Sequence, residues 1–313
     1  MKRQAEAVTK PHYLALIQTA MHIYGRGDGQ HGPIRILDVG CGNGDLLAAL
    51  HALPYSAPVE FFGFEVQEHG AKNAHWLARI ISRLAEDFPS TDWSKRIVAI
   101  TEDSPWPFET HSFDLIVSSQ VLEHVHDHNA FFSNLAKRLA PEGLSIHVFP
   151  PRQTIVEPHV RLLGAHWIKR HHYSPKLFTF LYRCSQFVPG FRKSKTRIKS
   201  AGSARAAASF AHEYLLAYEN TPRTATLRRA ADCVELSMDV GMSSFVFEES
   251  LRRLRLFRGP REAPYSRFWI QALRPFRQIV GLFGVQVAVC AHKPLLKKPF
   301  LHRSPAFRST QRG

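Results

Sequence analysis

The 313-residue sequence predicts an α/β fold built on a mostly parallel, doubly wound sheet. Three observations carry that prediction. Apolar runs of strand length alternate with helical patterns from residue 34 to residue 149. A glycine-rich turn follows the first run. After Pro150-Pro151 the alternation stops, and it returns only near the C-terminus. Strands alternating with helices at this rhythm imply parallel pairing, because each crossover helix must cover a face of the sheet.

Thr9-Lys10-Pro11 has the form of an N-cap followed by proline in the first turn, and Leu14, Ile17, Met21 and Tyr24 recur at helical spacing behind it. Ile34 to Val39 reads as a buried strand, followed by a turn and a short helix from Asp45 to about Leu53. Val59 to Val66 is the second strand. A helix from about Ala71 to Phe88 carries Trp76, Ile80, Ile81 and Leu84 on one face. Ile97 to Thr101 and Phe113 to Ser118 read as strands, with a helix near His128 to Leu139. Pro141-Glu142-Gly143 predicts a turn into a fifth strand, Leu144 to Phe149. Residues 152–235 are rich in Arg, His and aromatics, with a polar basic stretch from Arg192 to Arg205, of which Arg192 to Lys199 reads as a solvated loop. Ser244 to Glu248 is a candidate strand, Ser266 to Phe283 a helix, and Val285 to Ala291 the closing strand.

Composition narrows the class. An apolar content of 44 % with 21 % charged residues is enough for a sizeable core. The most continuous apolar run, Ile279 to Ala291, has 13 residues, too few to span a bilayer. Cys41, Cys184, Cys233 and Cys290 are scattered without a CxxC pair, and the N-terminus does not read as a signal peptide. Reduced thiols and a cytoplasmic location are therefore expected. Charge is divided unevenly: residues 1–150 hold 12 Lys/Arg against 17 Asp/Glu, whereas residues 151–313 hold 29 against 9. The basic half predicts an anionic partner.

The chemistry is concentrated in four segments. In Ile36-Leu37-Asp38-Val39-Gly40-Cys41-Gly42-Asn43-Gly44-Asp45 a strand ends, the backbone turns, and a helix begins. Glycines let the main chain approach a ligand where a Cβ would clash, and the helix start offers free N–H groups. A dinucleotide loop of the GxGxxG type needs glycine at position 45, where Asp45 stands, so NAD is disfavoured. Glu65 ends the second strand 27 residues after Asp38, a place from which a carboxylate accepts both hydrogen bonds of a ribose diol. The third and fourth segments are Thr101-Glu102-Asp103-Ser104-Pro105-Trp106-Pro107-Phe108 and Ser118-Ser119-Gln120-Val121-Leu122-Glu123-His124-Val125.

In this order the four segments resemble the class I, Rossmann-like S-adenosylmethionine (SAM)-dependent methyltransferases, of the type 11/25-like kind. The resemblance implies a seven-stranded sheet with helices on both faces, an α-rich cap over its carboxyl edge, and methyl transfer from SAM. It implies that Asp38 lies near the methionine ammonium and that Gly40, Cys41, Gly42 and Gly44 form the cofactor loop. Glu65 then meets the ribose, Glu102 or (slightly favoured) Asp103 the adenine amino group, and Gln120 the sulfonium pocket. Trp106 either packs on the adenine ring or belongs to the core. Glu123 and His124 read first as packing and helix-start residues.

Five segments are expected: an N-terminal helix over the cofactor site (1–30), the SAM-binding core (31–151), a basic substrate-binding cap (152–235), completion of the sheet (236–294) and a basic tail (295–313). Glu157-Pro158-His159, with His166-Trp167 downstream, resembles a segment of bacterial methyltransferases associated with surface-glycan gene clusters. His159 follows the fifth strand closely and titrates near neutrality, which makes it the candidate general base for a hydroxyl acceptor. The expected reaction is methylation of a small molecule or glycan, with a phosphate-bearing, lipid-linked sugar precursor favoured and weak contact with an anionic membrane surface. The rivals are a SAM-binding subunit without turnover and an RNA methyltransferase. Nucleic acid is disfavoured, because no RRM, KH or zinc pattern is present. No metal is expected, since His166, His171 and His172 lack a matching set of carboxylates or cysteines at ligand spacing.

Overall fold

The structure, a computed structural model, describes residues 32–53, 55, 58–68, 75–157, 159–168, 170–185, 192–218, 220–243 and 285–293. The expected helices at residues 9–24 and 266–283 and the expected strand at 244–248 lie outside these residues.

Strands β1 (Ile34–Val39), β2 (Val59–Val66), β3 (Ile97–Ile100), β4 (Phe113–Ser119) and β5 (Leu139–Phe149) are joined by helices α1 (Asp45–His51), α2 (Trp76–Asp87) and α3 (His128–Arg138). With β8 (Leu236–Asp239) and β9 (Gln286–His292) they form one seven-stranded sheet in the order β3-β2-β1-β4-β5-β9-β8. The pairs among β1 to β5 are parallel, and β9 runs antiparallel to both of its neighbours. Successive side chains in a strand face opposite sides, and here both sides are covered. Ile36, Val117, Ile146 and Val289 pack with Trp76, Ile80 and Leu84 on one face. Leu37, Phe64, Ile116 and Ala288 pack with Phe131, Phe132 and Leu135 on the other. This explains why the central strands read as nearly continuous apolar runs rather than alternating ones.

Three expectations are corrected. Pro141-Glu142-Gly143 does not separate α3 from a strand beginning at Leu144; it lies inside β5, where the register jumps from Phe113↔Leu139 to Leu115↔Leu144. A Cβ on Gly143 would sit 2.8 Å from the Phe113 carbonyl oxygen, so only glycine lets the bulged strand stay this close to β4. The basic stretch after residue 191 is helical over Arg192–Ala201, not a loop. No strand was expected at Leu236–Asp239, which forms an edge of the sheet; Leu236 and Met238 face the core while Ser237 and Asp239 are half-buried.

Between β5 and β8 the chain builds a separate helical layer. A short hairpin, β6 (Val156–Glu157) with β7 (Leu162–Leu163), leads to α4 (Pro175–Ser185), α5 (Arg192–Ala201) and α6 (Ala204–Tyr218). Val160, Leu162, Phe178, Tyr182, Ala207, Ala211 and Leu215 close a small core of their own. Helix α7 (Thr224–Asp232) then returns the chain to the sheet through Leu227 and Ala230. All four cysteines are free thiols. Among the described residues no helix is long and apolar enough to cross a membrane.

Candidate active site

The glycine turn sits at the carboxyl end of β1. Its backbone is fixed by N–H groups of Gly40 and Cys41, which donate to the Phe64 carbonyl at 2.9 and 3.0 Å, and by Gly44 donating to Cys41 at 2.8 Å. Gly40, Gly42 and Gly44 have φ of +68°, +54° and +76°, a region that residues with a Cβ enter at a cost. A Cβ at Gly40 would lie 2.5 Å from Val121 Cγ2, and one at Gly44 would press on Ile80 at 3.1 Å. One at Gly42 would meet only Glu65 Oε2, at 4.0 Å. Among the described residues, the space beside Gly42 is therefore left open.

Helix α2 holds this loop from behind, a part of the site that sequence reasoning did not find. Trp76 Nε1 donates to the Gly42 carbonyl at 2.9 Å, and Arg83 donates to the Asn43 carbonyl at 2.9 Å and to the Asp45 carboxylate. Trp76→Phe keeps the buried ring but deletes the bond to Gly42. The expected cost is about 0.5–1.5 kcal/mol of stability, measured by urea denaturation.

Asp38 closes β1 at 1 % exposure. Burial first, and the negative charge of Glu65 second, push its carboxyl well above the ordinary range. Its Oδ2 has no hydrogen-bond partner among the described residues. A cationic group beside Asp38 would relieve both conditions. Glu65, at the end of the neighbouring strand, accepts from Gly42 N at 2.7 Å through Oε2 and from Val66 N at 2.8 Å through Oε1. Gln120, just past β4, adopts φ +60° with its N–H donating to Val148 at 2.8 Å, and its Nε2 is buried without a partner among the described residues. These three polar residues stand at the ends of adjacent strands, around the glycine turn.

The other predicted positions divide. Cys41 contributes no polar group to this edge: its side chain is buried against Leu47 and beneath Gly63, and burial raises its thiol pKa well above the usual value. Glu102 and Asp103 are both exposed in the turn after β3. Glu102 is anchored there by its N–H, which donates to Glu68 at 3.1 Å, and its carboxylate lies 3.9 Å from His126 Nδ1. Trp106 belongs to the core, packed at 5.1 Å against both Phe64 and Phe131.

A second group of polar residues joins the sheet edge to the helical layer. Glu157 is fully buried; its Oε1 accepts from His159 N at 2.9 Å and from His159 Nδ1 at 2.8 Å, and its Oε2 accepts from Val160 N. Burial alone would raise the Glu157 pKa, but these hydrogen bonds and the adjacent imidazole outweigh it and hold the carboxyl below its ordinary value. An ionised carboxylate can only accept, so His159 Nδ1 carries a proton and donates it to Glu157 as a hydrogen bond. That Nε2 lies 3.7 Å from Glu123 Oε1. The His159 ring is 5.2 Å from His124 and 5.7 Å from Tyr214 of α6. Asn220 ties the layers together, its backbone N–H donating to Glu123 O at 2.6 Å and its Nδ2 to Val125 O at 2.7 Å. His166 is buried against Thr221 Oγ1 at 3.2 Å, with its pKa pulled down to about 4 by burial. His147, inside the sheet beside Ser118, is pulled down to about 3 for the same reason. Both imidazoles are neutral near pH 7.

A seven-stranded, mostly parallel sheet of this order, with helices on both faces, is the fold of a class I, S-adenosylmethionine-dependent methyltransferase. The chain belongs to a methyltransferase-domain family, whose model matches residues 11–181. It is accordingly an enzyme, with S-adenosylmethionine as its cofactor. No curated protein matches the chain. Among solved structures it is similar to PKMT2 from Rickettsia typhi, at 13 % identity and TM-score 0.49, covering 90 % of this chain and 53 % of that one. The chain thus spans about half the length of that protein. It is also similar to an S-adenosylmethionine-dependent methyltransferase from Mesorhizobium loti, at 14 % identity and TM-score 0.45, covering 88 % of this chain and 97 % of that one. A putative sarcosine dimethylglycine methyltransferase from Galdieria sulphuraria aligns at 13 % identity and TM-score 0.41, covering 90 % and 84 %.

Proposed function

We propose that the chain transfers the SAM methyl group to a hydroxyl of a small molecule or glycan held between the sheet's carboxyl edge and the helical layer of residues 152–235. In this reading Gly40, Gly42 and Gly44 bring the backbone against the cofactor, Asp38 meets the methionine ammonium, and Glu65 receives the ribose hydroxyls. Glu102 or Asp103 faces the adenine amino group, and Gln120 lines the sulfonium. The chemistry of the donor set supports the fit: among the described residues Asp38 is a buried carboxyl with an unpartnered oxygen, Glu65 is a carboxyl beside the space at Gly42, and the Gln120 amide nitrogen has no partner.

The observation that carries the acceptor side is the Glu157–His159 pair. Its Nδ1 is locked to a buried carboxylate at 2.8 Å, and its Nε2 faces the segment just past β4. The acceptor oxygen attacks the methyl carbon as the carbon–sulfur bond breaks, the sulfonium becomes a neutral thioether, and the hydroxyl proton passes to Nε2. A carboxylate-oriented imidazole is the arrangement that general-base chemistry requires.

The expected substrate carries phosphate, since residues 151–313 hold 29 Lys/Arg against 9 Asp/Glu. Binding that falls as salt rises, to sugar phosphates and weakly to anionic vesicles but not to RNA, is the expected pattern. Isotope-labelled SAM incubated with cell extract, followed by mass spectrometry of the labelled product, tests the reaction itself. A protein that binds SAM and transfers no label to any extract is a cofactor-binding subunit instead. Glu65→Ala is expected to weaken SAM binding by roughly 1.5–3 kcal/mol in calorimetry through loss of charged hydrogen bonds; unchanged affinity would remove Glu65 from the site.

A further inference from the structure

We propose that Glu123, His124 and His159 together bind one divalent transition-metal ion at the seam between the sheet edge and the helical layer. One ligand atom from each lies within 4.8 Å of the other two. The separation of His159 from the other two by 35 residues or more explains why no ligand spacing is visible in the chain. The run His171-His172, which looked more suggestive, takes no part in this cluster.

Two further observations distinguish the cluster from a chance meeting of polar side chains. Glu123 is fully buried although its neighbours are imidazoles, so its carboxylate is committed to this seam. Behind His159 stands Glu157, which accepts a hydrogen bond from Nδ1–H and so turns Nε2 toward Glu123. A carboxylate–histidine pair of this kind is the usual support of a metal-bound imidazole, fixing its tautomer and raising its basicity. Two imidazoles and one carboxylate suit zinc, cobalt, manganese or ferrous iron, whereas calcium and magnesium take oxygen ligands. On a tetrahedral zinc ion, ligand atoms stand about 3.3 Å apart. The Nε2 to Oε1 separation of 3.7 Å needs little change, and the widest pair, within 4.8 Å, must close by at most about 1.5 Å.

Three protein ligands leave a position open, as in catalytic zinc sites. This inference rests on the acceptor site proposed above and changes the task of His159. With the ion bound, Nε2 is a ligand, and the acceptor hydroxyl takes the open position. The ion lowers the hydroxyl's pKa, and its proton leaves to solvent. The oxygen keeps its electron pair, attacks the methyl carbon, and the carbon–sulfur bond breaks to give the ether and S-adenosylhomocysteine.

The full chain, stripped with a chelator and dialysed, is titrated with Zn²⁺ by calorimetry and with Co²⁺ by visible absorption. One equivalent of Zn²⁺ is expected, together with the absorption bands of low-coordinate Co²⁺. Glu123→Gln and His159→Asn should each weaken binding by 100-fold or more, and Glu157→Gln by about 10–100-fold. His171→Asn should leave it unchanged, and SAM affinity, which reports folding, should be unchanged in all four variants. Absence of stoichiometric binding, or binding that His159→Asn and Glu123→Gln leave intact, overturns the metal site. If the stripped protein also transfers methyl as fast as the metal-loaded one while His159→Asn does not, the general-base reading stands alone.

Discussion

Valine in place of Gly42 is expected to give a folded protein that binds SAM at least 100-fold more weakly. Position 42 has φ +54°, so any Cβ carries a strain of roughly 1–2 kcal/mol, with a β-branched side chain at the upper end. That cost lowers the thermal midpoint by several degrees but does not unfold a domain of this size. Among the described residues the new Cβ meets only Glu65 Oε2, at 4.0 Å, so the side chain enters the space the glycine leaves open there. Gly40 gives no such separation of effects, because its Cβ would collide with Val121 at 2.5 Å and damage the core with the site. Calorimetry on Gly42→Val, paired with a melting curve, therefore reads the cofactor cradle almost alone. A hundredfold loss corresponds to about 2.7 kcal/mol. Wild-type affinity in a folded Gly42→Val protein would place the cofactor somewhere other than beside this turn.

The parts of this molecule that were legible in its sequence are those where local pattern and burial agree. The spans Ile34–Val39 and Val59–Val66 match the residues the apolar runs suggested, because both faces of a central parallel strand are covered and no solvent face interrupts the run. Leu236–Asp239 was missed for the opposite reason. It is an edge strand of four residues with only Leu236 and Met238 facing inward, too short for periodicity to separate from a turn. Arg192–Ala201 looked like a loop because a helix carrying so few apolar residues shows no stripe, although Lys and Arg are good helix formers and α6 gives it something to pack against. The site divides along the same line. Asp38, the glycines, Glu65 and Gln120 were expected beside strand ends, which is where the structure has them, because spacing along the chain shows where strands stop. Trp76 and Arg83 were missed as loop supports, since nothing in a helix pattern says what its outer turn hydrogen-bonds to. The meeting of Glu123 and His124 with His159 and Glu157 is created by the helical layer folding back over β4, and only the tertiary structure contains it.

That meeting is where the largest catalytic effect is expected. His159→Ala should lower methyl transfer from labelled SAM into extract acceptors by about 10²–10⁴-fold, the range lost when a positioned proton acceptor is removed. SAM affinity should stay unchanged, because the imidazole is held by Glu157, Glu123, His124 and Tyr214, none of them assigned to the cofactor. Glu157→Gln separates orientation from acceptance. The carboxylate takes three hydrogen bonds, from His159 N, His159 Nδ1 and Val160 N, and an amide with a single acceptor oxygen cannot take them all. The imidazole is then released from its fixed tautomer, and turnover should fall by an intermediate factor. Glu157 therefore acts as a positioning residue, and its signature is a lower kcat with SAM binding intact. A purely structural role predicts a different pair of results. Loss of the hairpin's anchor would lower the stability of both variants and weaken acceptor binding, leaving kcat close to normal. Near-normal turnover at saturating SAM in His159→Ala would therefore reassign the pair to holding β6 against β7, and the acceptor's proton would need another destination.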